Sequence, residues 1–238
     1  MNTADGKGVG IYQAIPMDVM VACLRHILNN GTISQNDLRA LLAQYPRGTN
    51  RLDKIREHAS KIFIGMKEES VKLTKFFPST ISAYLTTHEI KMIAIAISAL
   101  AYPAFYKLLV LVAQQFKVQP VVSRTFINLQ MGNIYGGSRS SAHAVDAILP
   151  MLVEAGLIQR SSNGLYEKAI KEPVNLSQSV CEYWIRVDLL LSGNRALSSE
   201  EIIHRPWNDF CPGVENVIEN LKMLKLERMS GGQSYVKL

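Results

Sequence analysis

The side chains of this chain that could do chemistry are mostly cations, and they are unevenly distributed. Residues 1–80 hold 11 Lys or Arg against 7 Asp or Glu, residues 81–170 hold 7 against 4, and residues 171–238 hold 8 against 9. The overall net charge of +6 fits a polyanionic partner. Because the excess positive charge disappears in the last third, a surface for such a partner is expected in the first two thirds.

Residues suited to catalysis or metal binding are scattered. The sequence has no HExxH, GxSxG, Walker or GxGxxG pattern. Its three cysteines, Cys23, Cys181 and Cys211, form no CxxC pair, which favours a reducing compartment over a disulfide framework or a zinc site. We therefore expect a protein that is not an enzyme and needs no metal or cofactor. The five histidines are isolated from one another: His26, His58, His88, His143 and His204.

One stretch, Ser138–Lys168, organises the middle of the chain. Apolar residues from Val145 to Val153 follow the spacing of one face of an amphipathic helix, and Gly156 is suited to end that helix. Two short apolar runs around Asn163-Gly164 predict a β-hairpin after it. A helix followed by a glycine and a hairpin resembles the second half of a winged-helix domain, in which a recognition helix precedes a two-stranded wing.

A similar pattern recurs 69 residues later, which favours two related units over two generic helices that each precede a hairpin. Leu157 matches Leu226, and the second turn would be Ser230-Gly231-Gly232. The last strand is matched by aligning Tyr166 with Tyr235. The helical positions Val145, Ile148, Leu149 and Leu152 align with Val214, Val217, Ile218 and Leu221.

The N-terminal third has a looser version of the same order. After a polar tail over residues 1–12, helices are predicted from Met17 and from Ser34, with a short strand at Ile33, and a third helix is expected after Arg47. Residues 61–74 could then form a third hairpin, or the whole segment could be a small helical bundle followed by a loop.

The predicted fold is mainly α with small β-hairpin wings, arranged as tandem winged-helix domains. The expected divisions are 1–80, helical, basic and possibly winged-helix; 81–170, a central helix plus a winged-helix domain; and 171–238, a C-terminal winged-helix domain. The apolar run from Met92 to Val112 is interrupted by Pro103 and Lys107, so it predicts two buried helices meeting at Tyr102-Pro103 and no membrane span.

The winged-helix resemblance implies double-stranded DNA as a partner, with the third helix of a unit in the major groove. In the middle unit the face opposite the apolar stripe holds Ala147 and Glu154 besides polar candidates. The N-terminal unit is the most basic and is expected to contact DNA first. The residues predicted to bind DNA are Arg47, Asn50, Arg51, Lys54, Lys61, Lys67, Arg139, Ser140, Ser141, His143, Arg160 and Asn163.

The C-terminal unit is different, because Glu215 and Glu219 on the corresponding face would repel phosphate. It is expected to be structural or to bind a protein partner. Two main functions remain open, and a third, a membrane-associated protein, would rest only on the apolar residues 92–112. One is a DNA-binding protein of transcriptional regulation or of a DNA-maintenance or defence complex, located in the cytoplasm or on the nucleoid. The other is a winged-helix adaptor that joins proteins in a larger assembly, since winged-helix arrays also serve that role.

Overall fold

The computed structural model describes residues 10–45, 48–169, 176–228 and 234–238. This part of the chain is mainly helical. The α-helices are α1 (Met17–Asn30), α2 (Gln35–Ala43), α3 (Thr49–Phe63), α4 (Lys67–Phe76), α5 (Ser79–Ser82), α6 (Thr87–Ala101), α7 (Pro103–Phe116), α8 (Arg124–Tyr135), α9 (Arg139–Ala155), α10 (Gln178–Ser192), α11 (Ser199–His204) and α12 (Val214–Val217). Pro206–Phe210 and Ile218–Asn220 form 3₁₀ turns.

Six short strands form two antiparallel three-stranded sheets, and in each sheet the strand that is last in sequence lies in the centre. The first sheet has the order β1-β3-β2, and the second has the order β4-β6-β5. The prediction of a mainly helical protein with small hairpins is thus confirmed. The strands are β1 (Val121–Ser123), β2 (Ile158–Ser162), β3 (Leu165–Lys168), β4 (Ala196–Ser198), β5 (Lys225–Arg228) and β6 (Ser234–Lys237).

Helix α6 is the centre of the fold. It begins at a capping box in which the Thr86 hydroxyl accepts from the Glu89 backbone N–H and the Glu89 carboxylate accepts from the Thr86 N–H. All of residues 92–99 are buried. Packed around the helix are α1, α3, α7, α9 and α10. A helix that is apolar on every side needs neighbours on every side, and here both flanking thirds of the chain supply them.

The apolar run breaks where the sequence predicts. Tyr102 is extended, Pro103 opens α7, and the α6–α7 pair bends by 119°. Within the described residues no single helix is long and apolar enough to cross a membrane. The bent α6–α7 pair reaches that length and apolar content only when its two helices are counted together.

The middle of the chain folds in the order helix α7, strand β1, helices α8 and α9, and the β2–β3 hairpin, which includes the predicted helix and hairpin of Ser138–Lys168. The Ser123 hydroxyl caps α8 by accepting from the Phe126 N–H. Helix α9 continues past Pro150 and ends at Gly156. The end of β1 pairs with the start of β3, so that Ser123 lies opposite Leu165. The sheet therefore joins the hairpin to the strand that precedes the two helices.

The hairpin expected over residues 61–74 is wrong, and so is the short strand at Ile33. Helix α3 runs to Phe63, and α4 occupies the region of the supposed second strand. Gly65 makes the junction, where a Cβ atom would lie 2.8 Å from the Lys61 carbonyl oxygen. The buried residues of α4 are Glu69, Ser70, Leu73 and Phe76, a helical spacing that the mixed polarity of the sequence concealed.

The start of the chain also differs from the expected tail. Residues 1–9 lie outside the described residues, but Ile11 is 1% exposed and Ile15 is completely buried. The segment from Ile11 to Pro16 therefore belongs to the core of the N-terminal third.

In the C-terminal third, the helix predicted over Val214–Leu221 is reduced to the single turn of α12 and a 3₁₀ turn. The strand match is also displaced by one residue. Tyr166 is buried opposite Val122, whereas the buried residue opposite Leu197 is Val236 and not Tyr235. Since a shift of one residue turns a strand's side chains to the other face, β3 and β6 correspond at an offset of 70. The predicted turn at Ser230-Gly231-Gly232 lies outside the described residues.

Buried polar contacts join the thirds of the chain. Arg186 of α10 donates to the Glu69 carboxylate of α4 at 2.5 and 3.0 Å, and Tyr183 donates to the same carboxylate at 2.9 Å. Tyr106 of α7 donates to Asp188 at 2.6 Å, and Arg205 is ion-paired with Asp188. The Glu69 contacts cross the division expected at residue 80. The Tyr106–Asp188 contact crosses the division expected near residue 170, although residues 170–175 themselves lie outside the described residues.

Candidate nucleic-acid interface

The N-terminal half of α9 presents a free polar surface. Ser138 caps the helix with extended backbone geometry, and its hydroxyl lies 2.6 Å from the Ser140 hydroxyl. The side chains of Arg139, Ser140 and His143 are exposed. They make no ion pair among the described residues, and their spacing places them on one face of the helix. The backbone N–H groups of this first turn add a partial positive charge.

Ser141 does not belong to that surface. Its side chain is 4% exposed, and its hydroxyl donates to the Ser138 carbonyl at 2.8 Å. The predicted DNA contact of Ser141 therefore has no exposed hydroxyl to make it, because the hydroxyl stabilises the start of the helix.

The start of α1 and the residues before it approach the C-terminal half of the same face, although Glu154 remains exposed. Ala147, which the sequence placed on the open face, is 2% exposed. The Met17 backbone N–H donates to the Glu154 carboxylate at 2.7 Å, and the Lys91 ammonium donates to the Glu154 carbonyl at 2.8 Å. Between the two parts remains a cleft of about 280 Å³, lined by Tyr12, Gln13, Ala14, Pro16, Arg51, Asp146, Ala147, Pro150 and Glu154.

The segment over α9 is held by an aromatic contact to α3. Tyr12 donates to the Glu57 carboxylate at 2.5 Å, and its ring centroid lies 4.4 Å from that of His58. His58 is 1% exposed, with its Nδ1 2.8 Å from the Tyr102 hydroxyl. Burial lowers the pKa of His58, which favours the neutral imidazole at this contact. The Tyr12–His58 contact could not be predicted from the sequence, because Tyr12 lies in the segment predicted to be a polar tail.

Next to α9, the β2–β3 hairpin exposes Arg160 and Asn163, as predicted. The Arg160 guanidinium lies 6.0 Å from the Tyr166 ring. A further cation, Arg124 at the start of α8, was missed by the sequence argument and is ion-paired with Asp146 of α9. This ion pair offsets the negative charge of Asp146, the acidic residue of α9 that is nearest in sequence to the exposed Arg139, Ser140 and His143.

Helix α3 supplies the second group of cations. Asn50, Arg51 and Lys54 are exposed on its N-terminal half, and Arg51 lines the cleft beside α9. The structure thus brings the two predicted sites, one in the N-terminal third and one in the middle unit, to adjacent surfaces. Arg47 lies outside the described residues.

Two other predicted contacts lie apart from this surface. Lys61 is ten residues beyond Arg51 on α3, a separation of about 15 Å along the helix, and its ammonium sits 4.3 Å from the Tyr102 ring. Lys67 is exposed in the first turn of α4 and is not part of a wing. Both are cations on the surface of a helical bundle.

The corresponding surface of the C-terminal third is acidic. Glu215, Asn216 and Glu219 are exposed around α12, and Glu219 lies 3.8 Å from Arg228. Behind it, the buried Glu182 carboxylate accepts backbone N–H groups of Lys222, Met223 and Leu224 at 2.6 to 3.2 Å. The turn before β5 is therefore held in shape by a carboxylate of α10 in place of a continuous helix.

Among the described residues, no group of three or more His, Cys, Asp or Glu side chains is arranged to hold a metal ion. Comparison of the chain with known protein families, with curated proteins and with solved structures found no significant match.

Proposed function

We propose that this protein binds double-stranded DNA with a winged-helix unit formed by residues 103–168, assisted by the N-terminal half of α3. The observation that carries the proposal is the arrangement of the middle unit. It has the order α7, β1, α8, α9, β2 and β3, with β3 central in the sheet. The start of α9 is open, and Arg139, Ser140 and His143 are exposed on it.

The covered face of α9 restricts how a duplex can approach. A recognition helix that lies along the major groove uses much of its outer face. Here Glu154 accepts from the Met17 N–H, and Ala147 is buried beside a cleft that Tyr12 and Pro16 also line. The helix is therefore proposed to enter the groove with its N-terminal end. His143 and Ser140 are the side chains placed to reach base edges, and Arg139 is placed to contact phosphate.

The cations beside α9 are proposed to follow the DNA backbone. Arg51 and Lys54 lie on the α3 side, and Arg160 with Asn163 on the hairpin side. If Arg51, Lys54, Arg139 and Arg160 each neutralise one phosphate, the logarithm of the binding constant should fall with the logarithm of salt concentration with a slope of roughly −3 to −4. This proposal implies a cytoplasmic or nucleoid-associated protein that acts without catalysis.

The test is fluorescence anisotropy of a short labelled duplex at low and moderate salt. Arg51→Glu/Lys54→Glu should weaken binding by about tenfold or more and reduce the magnitude of the salt slope by about 2. Lys222→Glu/Lys225→Glu is the matched control, because it reverses two exposed charges in the acidic third and should change affinity by less than about threefold.

A separate variant tests α9. His143→Ala removes an exposed side chain and should weaken binding while leaving the salt slope unchanged, since it is proposed to contact bases and not phosphate. Equal effects of the α3 pair and the control pair would contradict the proposed surface. Undetectable binding of the folded wild-type protein at low salt would reject the DNA proposal as a whole.

A second function is favoured by one observation on α8. Leu129 is 61% exposed and Ile134 is 50% exposed on this helix. An adaptor that docks a protein on α8 would bury them. Undetectable DNA binding by the wild-type protein would favour this alternative, and a pull-down comparing wild type with Leu129→Ser/Ile134→Ser would then test it.

A further inference from the structure

Two of the three cysteines meet in the core of the C-terminal third. Cys181 lies in the first turns of α10, and Cys211 directly follows the 3₁₀ turn at Pro206–Phe210. Their sulfur atoms are 3.8 Å apart, although the residues are separated by 30 positions in sequence. Both are free thiols and both are buried, at 0% and 1% exposure. This pairing could not be predicted from the sequence, because neither cysteine belongs to a short motif.

We propose that Cys181 and Cys211 form a reversible intramolecular disulfide, with a low-molecular-weight disulfide such as oxidised glutathione as the oxidant. A disulfide requires a sulfur–sulfur distance of about 2.05 Å. The two sulfurs must therefore approach by less than 2 Å from the 3.8 Å of the structure. The inference does not depend on the proposed DNA binding.

The exchange proceeds in two balanced steps. One protein thiol loses its proton and attacks a sulfur of oxidised glutathione, which forms a mixed disulfide and releases one glutathione thiolate. The second protein thiol then loses its proton and attacks the protein sulfur of the mixed disulfide. This step forms the Cys181–Cys211 bond and releases the second glutathione, so two electrons pass from the protein to the reagent.

The surroundings of Cys211 determine how the reaction begins. Burial raises the pKa of the Cys211 thiol well above its ordinary value, so the closed structure holds it in the unreactive form. The segment after it is suited to open, because Pro212 is exposed, Gly213 has a φ of 95°, and α12 that follows has only four residues. The reaction therefore requires local opening of the residues that join Cys211 to α12.

The product would tie this joining segment to α10. Helix α10 packs on α6, and its Glu69–Arg186 ion pair reaches α4. A bond from Cys181 to Cys211 would close a loop of about 30 residues and remove conformational freedom from the unfolded chain. Oxidation is expected to raise the thermal midpoint by about 5–10 °C.

The test equilibrates the full-length protein in glutathione buffers from fully reduced to strongly oxidised, followed by an acid quench and alkylation of free thiols in denaturant. We expect three alkylated cysteines under reduction and one under oxidation, with the peptides of Cys181 and Cys211 linked. Cys23, which is buried in α1, is the internal control and should stay alkylated throughout.

The variant Cys23→Ser should behave like wild type, and Cys211→Ser should lose both the linked peptides and the rise in midpoint on oxidation. Peptide mapping of the wild-type protein gives the answer even if a cysteine variant folds poorly. Three alkylated cysteines in every buffer, or glutathione that remains attached to Cys181 or Cys211, would overturn the proposal.

Discussion

The Glu69–Arg186 ion pair shows how strongly one buried contact can bind two distant parts of this chain. Both side chains are less than 10% exposed, and the carboxylate also accepts from Tyr183. Removing both charges of a buried pair costs far less than removing one, because a single remaining charge loses its solvation without compensation.

We therefore expect Arg186→Met to lower the free energy of unfolding by about 3–5 kcal/mol. The double variant Glu69→Met/Arg186→Met should recover most of that loss. The exposed pair Arg56–Asp53, at 2.8 Å, gives the control: Arg56→Met should change the free energy of unfolding by less than about 1 kcal/mol. Denaturant unfolding measures all three, and a double variant as unstable as Arg186→Met would contradict this account.

At single positions, the sequence predicted which side chains are exposed. It predicted less well which of them a partner could reach. Arg139, His143 and Arg160 are exposed as expected. Helical periodicity correctly separates the apolar stripe of α9 from its opposite face. It cannot show that a second segment covers part of that opposite face, which is why Ala147 was misplaced. The contact of Tyr12 with His58 was missed for the same reason, since it joins residues 46 positions apart.

At the scale of elements, two positions on one face of α9 are expected to differ in how well they tolerate a larger side chain. His143 is exposed, whereas Ala147 is 2% exposed and lines a cleft together with residues 12–16. His143→Arg should leave stability nearly unchanged. Ala147→Arg should lower the free energy of unfolding by about 1–3 kcal/mol or more, because the larger side chain must displace the segment above it.

Chemical denaturation of the two variants under identical conditions measures the difference. If Ala147→Arg were as stable as His143→Arg, the start of the chain would not cover α9 in solution. Ala147→Leu provides a second comparison, since it adds volume without charge and should also destabilise.

Elements were predictable where local signals agreed with packing. The Gly156 helix end and the Asn163-Gly164 turn both appear where the sequence places them. Residues 61–74 were misassigned because their polar residues obscure a helical spacing, and burial of Glu69 depends on a partner on α10 that lies 117 positions away. The offset between β3 and β6 was wrong by one residue, because an aligned tyrosine pair outweighed the alternation of buried side chains.

For the whole molecule, the position of α6 predicts cooperative unfolding. The helix packs against α1 and α3 from the N-terminal third and against α10 from the C-terminal third. If the three thirds were separate bodies, each could unfold without breaking contacts to the other two. Here each third buries part of the same helix, so they are expected to unfold together. We expect a single unfolding transition.

The two tryptophans make this measurable. Trp184 and Trp207 stack with ring centroids 4.4 Å apart, and both lie in the C-terminal third. Their fluorescence reports that third, whereas far-ultraviolet circular dichroism reports all helices. The two denaturation curves should coincide within error. A fluorescence transition displaced from the dichroism transition would show that the C-terminal third unfolds separately.

The central position of α6 also has a consequence for protein synthesis. Its apolar surface is completed only when α10 packs on it, and the last residue of α6 precedes the first residue of α10 by 77 positions. At translation rates of about 5–20 residues per second, the ribosome needs roughly 4–15 s to make that interval. During this time part of an apolar helix remains uncovered on the nascent chain. Chaperones that bind exposed apolar segments are therefore expected to engage residues 87–101 before the chain is complete.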